Sequence, residues 1–387
     1  MSDTERQAAA RPYAEEAPAE TPPRIVEADG TVHEGWFRHP FVDANLGDAP
    51  IAYPLARLRG TPLGGLERRL RGLRLKQWHY TSIVTPRVLF ACAVVDLGYV
   101  GNAFAYVVER DSGRKLEWNA LSPLGRAVRI APNSIDGLTS FEAPGFGRVM
   151  LDNDAVNGLR RIDVSLHETR RSPALSACYE LQDLGTSPDP VVVVERVAPE
   201  RWLYTHKCYG LPAAGDLRCG TLADTVLMGE ALGGLDWNRG YRARETHWNW
   251  AAAAGRSDCG KVIAWNLTAH RPWPGSGASA PEAAHGDADA ADCALWLGGR
   301  LVKIRRVAFD YDPRERLAPW RIRDDRGLVD LVFTPRGERS DDTNFGVVVS
   351  RFHQPYGSFA GSVRSPEGER FAVGDVYGVT EQHFARW

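Results

Sequence analysis

A chain of 387 residues is too long for one ordinary hydrophobic core and predicts two domains of roughly 150–200 residues each. Hydrophobic residues make up 43%, enough to fill both, while 47 basic and 49 acidic residues nearly cancel to a net charge of −2. That balance argues against a nucleic-acid groove and against a polybasic membrane anchor, since both need a concentrated basic face.

Residues 1–24 are rich in Ala, Glu and Pro and offer little apolar surface to offset ordering, which predicts a disordered N-terminal tail. No apolar stretch follows a basic head, and no run approaches the ~18 residues of a membrane span, so no secretory signal or transmembrane segment is expected and the expected location is cytoplasmic. The six cysteines are dispersed without a close pair and read as reduced, small buried hydrophobes.

From Arg87 onward the chain reads as strand after strand. Arg87–Val95 and Ala103–Glu109 flank a hairpin connection at Asp96–Asn102. Leu159–Glu168 alternates, with Ile162, Val164 and Leu166 on one face and Asp163, Ser165 and His167 on the other. Leu175–Leu181, Val191–Val197 and Trp202–His206 continue the series. It resumes with Lys261–Ala269, Arg300–Tyr311, Leu328–Phe333, Phe345–Phe352 and Arg370–Val376. Only Leu66–Leu75 has helical spacing, and Pro272–Ala291 has the composition of a loop insertion that could serve as a lid. Many short strands between turns predict an all-β protein of two tandem antiparallel lipocalin-like β-barrels with few short helices. The first barrel is expected over 25–208 and the second over 209–387.

Familiar signatures fail. Gly255–Lys261 matches the first seven positions of a phosphate-binding loop, but Val262 stands where a Ser or Thr must hold magnesium. There is no Rossmann fingerprint, no GxSxG elbow and no histidine pair at metal-ligand spacing, so no cofactor and no metal are expected.

Aromatic density is the strongest anomaly. Five of twelve tryptophans (Trp237, Trp248, Trp250, Trp265, Trp273) fall within 37 residues, where even spacing would put about one. If Arg244–Trp250 is extended, Thr246, Trp248 and Trp250 share one face and Glu245, His247 and Asn249 the other. A carboxylate beside an imidazole is a usable acid/base unit, so Glu245 and His247 are the candidate catalytic pair. The same alternation also fits a strand whose polar face meets solvent. Trp237, Tyr241, Trp248, Asn249, Trp250 and Trp265 are candidate ligand contacts. A second polar-aromatic cluster adds His353, Gln354 and Tyr356.

Several stretches carry a resemblance: Leu75-Lys76-Gln77-Trp78, Asp96-Leu97-Gly98-Tyr99, Thr205–Pro212, Leu235–Gly240, Trp248–Ala251, Pro319–Ile322 and His353–Gly361. On these the chain resembles the bacterial domain-of-unknown-function 2804 family over most of its length. More distantly it is similar to the two-barrel, lipocalin-like group of carotenoid 1,2-hydratases, fungal Diels–Alderases and ceramide-handling survival factors. That likeness implies two barrels with a ligand cavity in or between them. The Asp-His-x-Trp motif of the hydratases is replaced by His247-Trp248-Asn249-Trp250, so their acid is absent at its position. The expected partner is therefore an apolar small molecule. Three readings stay open: cofactor-independent hydration, isomerisation or cyclisation of that molecule; a non-catalytic lipid carrier or sequestering protein; and a scaffold with filled barrels.

Overall fold

The computed structural model describes residues 17–154, 156–184, 188–270, 291–344 and 348–387. Of the described residues 62% are strand and 4% helix, arranged as one nearly closed barrel-like sheet and one half-barrel sheet, both antiparallel.

The first sheet runs from the edge strand Lys115–Pro123 through Val100–Glu109, Val88–Asp96, Lys76–Val84, Leu222–Gly240, Arg201–Cys219, Leu175–Gln182, Leu159–Leu166, Gly147–Asp154 and Asp136–Ala143 to Val128–Arg129. Gly35–Phe37 and Val191–Ala198 extend it through the upper half of Arg201–Cys219. The second sheet runs Arg300–Lys303, Ala294–Leu297, Val262–His270, Glu245–Arg256, Arg370–Arg386, Val349–Arg364, Val329–Asn344, Trp320–Asp324 and Val307–Asp310.

Period-two alternation sorts the side chains into separate cores. Phe90, Trp118, Phe141 and Tyr179 fill the inside of the first sheet, and Trp265, Phe309, Trp320 and Phe359 the inside of the second. Leu159–Leu166 alternates as its sequence requires, with Ile162, Val164 and Leu166 buried. The outward faces of the sheets meet in a third core that includes Tyr80, Tyr106, Tyr209, Trp250, Trp296 and Tyr377. A fourth core lies where Ile25–Ile51 pack over Tyr204, Leu235 and Trp237 at one end of the first sheet. The run Val191–Val194 is buried on both faces because it lies between the third and fourth cores.

Three expectations need correction. The change of sheet falls between Gly240 and Glu245, not near residue 208. Arg201–Cys219 does not end at its Gly and Pro; it bends at a bulge, where Gly210 takes φ +85°, and continues in the same sheet. Second, residues 17–24 belong to the ordered body rather than to the tail. Ala19 bridges Phe37, Arg24 bridges Asp43, and Thr21 Oγ1 donates to the carbonyl of His39. Third, Arg300–Tyr311 is two short strands with a break at Ile304–Arg306. Residues 1–16 and most of the Pro272–Ala291 insertion lie outside the described residues. The helix spans Gly64–Gly72, and all six cysteines are free. Among the described residues no helix is long and apolar enough to cross a membrane.

Candidate functional site between the two sheets

The stretches Thr205–Pro212 and Leu235–Gly240 prove to be neighbouring strands in register, with Thr205 opposite Asn238 and Lys207 opposite Asp236. These four side chains share the face turned toward the second sheet. Lys207 Nζ lies 3.0 Å from Asp236 Oδ2 and 2.8 Å from Asp292 Oδ2, and donates to Asn266 Oδ1 at 3.2 Å. Trp250 Nε1 donates to the same Asn266 oxygen at 2.7 Å, while Asn266 Nδ2 holds the carbonyl of Asp292. On the other side Asn238 Nδ2 and Trp78 Nε1 donate to Asp236 Oδ1, and Thr205 donates to Asn238. Two carboxylates thus share one ammonium in a buried network joining both sheets.

Burial alone would depress Lys207, but the two carboxylates outweigh it and hold the ammonium above the ordinary lysine value. Burial opposes ionisation of Asp292 too, yet Lys207 keeps its pKa at about 2. For Asp236 burial wins, and its pKa is raised. Such a network costs heavily in desolvation and rarely contributes net stability, so its presence points to fixed electrostatics rather than to fold strength.

Beside it lies a group of partly buried residues. Glu195 is partly buried, two residues along from Val193, which pairs with Trp36. Its carboxyl has no hydrogen bond or ion pair among the described residues. Burial and the charge of Asp292 push its pKa up to about 7, against the pull of Arg242, Lys303 and Lys207. The Arg242 guanidinium lies 4.3 Å from the Trp78 ring centre and 5.4 Å from that of Trp248. Its Nε is buried without a hydrogen bond, as is Nε1 of Trp36. Trp248 is anchored by donation from Nε1 to Glu381 Oε1 at 2.9 Å, and Gln354 Nε2 holds the other Glu381 oxygen at 2.8 Å. The result is an unpaired carboxyl, two unused N–H donors and three half-buried indoles (Trp36, Trp78, Trp248) beside a fixed ion network.

The residues singled out from sequence scatter to four places. Trp248, Trp250, Gln354 and Tyr356 reach the interface between the sheets. Tyr356 is tied there by its hydroxyl to the carbonyl of Gly113. Trp237 and Tyr241 face the N-terminal segment, with the Tyr241 hydroxyl on the carbonyl of Gly47. His247, Asn249, Trp265 and His353 lie on the inner face of the second sheet. There Asn249 Nδ2 donates to Tyr311, His353 stands 3.6 Å from Glu338, and Trp265 packs edge-on against Phe359. Glu245 is on the surface and pairs with Arg386 at 2.8 Å, so it does not orient His247. The acid/base pair expected from alternation is therefore not assembled. Sequence reasoning missed Lys207, Asp236, Asp292, Glu195 and Arg242. For the first two the signal was present, since both lie in stretches quoted for the resemblance. Among the described residues no three His, Cys, Asp or Glu side chains converge to hold a metal ion.

The family described as "Domain of unknown function (DUF2804)" matches residues 16–387. The chain belongs to this family. Two solved structures are similar to this DUF2804 member. A Nitrosomonas europaea protein named after AttH shares 12% identity over 80% of this chain and 92% of its own, with a TM-score of 0.47. Kievitone hydratase from Nectria haematococca shares 10% over 86% and 93%, with a TM-score of 0.43. At these values neither likeness bears on chemistry. No curated protein matches the sequence.

Proposed function

We propose that the protein carries out cofactor-independent proton-transfer chemistry (hydration, isomerisation or cyclisation) on an apolar molecule bearing an acceptor oxygen, bound at the Glu195 end of the seam between the sheets. The observation that carries this reading is the unpaired Glu195 carboxyl within reach of the Arg242 charge, on a strand that pairs with Trp36, while Arg242 Nε and Trp36 Nε1 are both buried and unused. Those donors take the substrate oxygen, and the guanidinium stabilises negative charge that develops on it. Ionised Glu195 accepts a proton from the adjacent carbon or from an attacking water; the protonated form returns it to another atom of the same molecule. No electrons are gained or lost. A pKa near 7 suits both halves of that exchange at neutral pH. The indoles of Trp36, Trp78 and Trp248 provide the apolar wall. Asp292, held ionised by Lys207, keeps Glu195 from ionising too early.

The test begins with mass spectrometry of small molecules that co-purify with the protein, followed by turnover of the molecule found. Glu195→Gln should lower the rate by roughly 10²–10⁴ while leaving binding within a few fold. A retained molecule that the wild-type protein never transforms would make the protein a carrier. Equal turnover by wild type and Glu195→Gln would remove Glu195 from the chemistry.

A further inference from the structure

A second site, separate from the seam, lies at the end of the first sheet under the N-terminal segment. A pocket of about 110 Å³ is lined by His39, Pro40, Ile135, Leu159, Leu184 and Pro190, with Arg160, Asp183 and His206 as its charged and polar members. His206 neighbours Lys207 in the chain but faces the other way.

The orientation of its ring is fixed by a chain of hydrogen bonds. The backbone N–H of Phe41 donates to Tyr204 Oη at 3.4 Å and cannot accept, which leaves Ser134 Oγ at 3.1 Å as the acceptor among the described residues for the tyrosine hydrogen. With the tyrosine donating to it, Ser134 has His206 Nδ1 at 2.9 Å as the acceptor for its own hydrogen. Burial, then the nearby Arg160 charge, hold the ring neutral, with a pKa of about 3. A neutral ring that accepts at Nδ1 carries its proton on Nε2. That N–H has no partner among the described residues.

Arg160 is held just as firmly. Its Nε donates to Asp183 at 2.6 Å, and its Nη1 to the carbonyl of Ser134 at 2.9 Å and to Asn153 Oδ1 at 2.6 Å. Its Nη2 makes no hydrogen bond among the described residues. The two side chains that line this small pocket with a donor to spare are therefore His206, at Nε2, and Arg160, at Nη2, and the remaining wall is mostly aliphatic. Asp183 cancels the charge of Arg160, so the site as a whole is neutral.

We infer that this pocket binds a short neutral carbonyl compound, its oxygen taken by His206 Nε2–H and Arg160 and its alkyl part packed on Ile135, Leu159 and Leu184. A cavity of roughly 150 Å³ holds a six-carbon ring, so one of this size holds about four to five non-hydrogen atoms. A carboxylate of the same size would meet Asp183 and is disfavoured. The site shares no side chain with the seam and stands whether or not the seam is catalytic.

Butanone and butyrate are the probes, each titrated into the full-length protein while the ring resonances of His206 are followed by NMR. Butanone should shift the Nε2–H signal and saturate, and butyrate should bind at least about tenfold more weakly, the cost of one misplaced polar contact. Two variants, His206→Phe and Leu184→Trp, should each weaken butanone about tenfold or more. Leu184 is 56% exposed, so its replacement fills the pocket mouth without touching the core and keeps the test decisive if His206→Phe fails to fold. Absence of any butanone effect, butyrate binding as tight as butanone, or unchanged affinity in Leu184→Trp would each overturn the assignment.

Discussion

Glu195 carries an acid that the fold keeps protonated to about pH 7, against an ordinary value of 4.5. Between those two values the folded chain holds a proton that the unfolded chain has released. Stability therefore falls as pH rises from about 4.5 to 7 and levels off beyond. Glu195→Gln removes that dependence. In thermal melts from pH 4 to 8 the variant should gain on the wild type through this window and be the more stable protein at pH 8. Superimposable curves would show that Glu195 is solvated like a surface carboxylate. Lys207 illustrates what residue identity alone conceals. A lysine flanked by His206 and Cys208 reads as a surface charge in an otherwise apolar strand, yet it is buried and carries two carboxylates from positions 29 and 85 residues away. Nothing local announces such a partnership, because each member is costly to bury without the others.

At the scale of elements, the sequence was legible where burial is one-sided. Leu159–Leu166 and Leu175–Gln182 alternate cleanly because one face packs inward and the other meets water. Leu222–Gly240 escaped notice because its two halves differ. The first alternates; the second, Ala231–Asn238, is buried on both faces between the interior of the sheet and the interface. Glycine supports that double burial: a Cβ on Gly234 would lie 2.3 Å from the ring of Tyr209 on the neighbouring strand. The N-terminal segment was read by composition as a tail, but composition cannot register backbone pairing. The amide of Ala19 donates to the carbonyl of Trp36, that of Arg38 to Ala19, and that of Asp43 to Pro23. A chain starting at residue 25 should therefore melt measurably below one starting at residue 17, by a few degrees for the loss of these bonds. Equal melting temperatures would make residues 17–24 dispensable.

At the scale of the whole molecule, the outward faces of both sheets form one apolar core, crossed by the Lys207 network and by Arg339, which lies between Phe104 and Phe352 and pairs with Glu117. Neither sheet can leave the other without exposing Tyr209, Trp250 and Trp296. Unfolding in urea should accordingly be one transition, with tryptophan fluorescence and far-ultraviolet circular dichroism coinciding. Two separated transitions would mean that the interface is weaker than its apolar content implies. The same packing explains the fate of the tryptophan-rich segment. It crosses from one sheet to the other at Tyr241–Arg244. Trp237 is thereby sent toward the N-terminal segment, Trp248 and Trp250 into the interface and Trp265 inside the second sheet. Density along the chain did not become density in space.

The sequence by itself determined the all-β class, the positions of strands buried on one face and the absence of familiar catalytic motifs, because alternation and turn chemistry act over a few residues. Only the tertiary structure decided where one sheet gives way to the next, which face of each strand becomes interface, and that Glu195, Lys207, Asp236, Arg242 and Asp292 stand together. Those outcomes depend on register across strands far apart in the chain. Register is set by bulges and by the packing of two curved sheets, which no local pattern encodes.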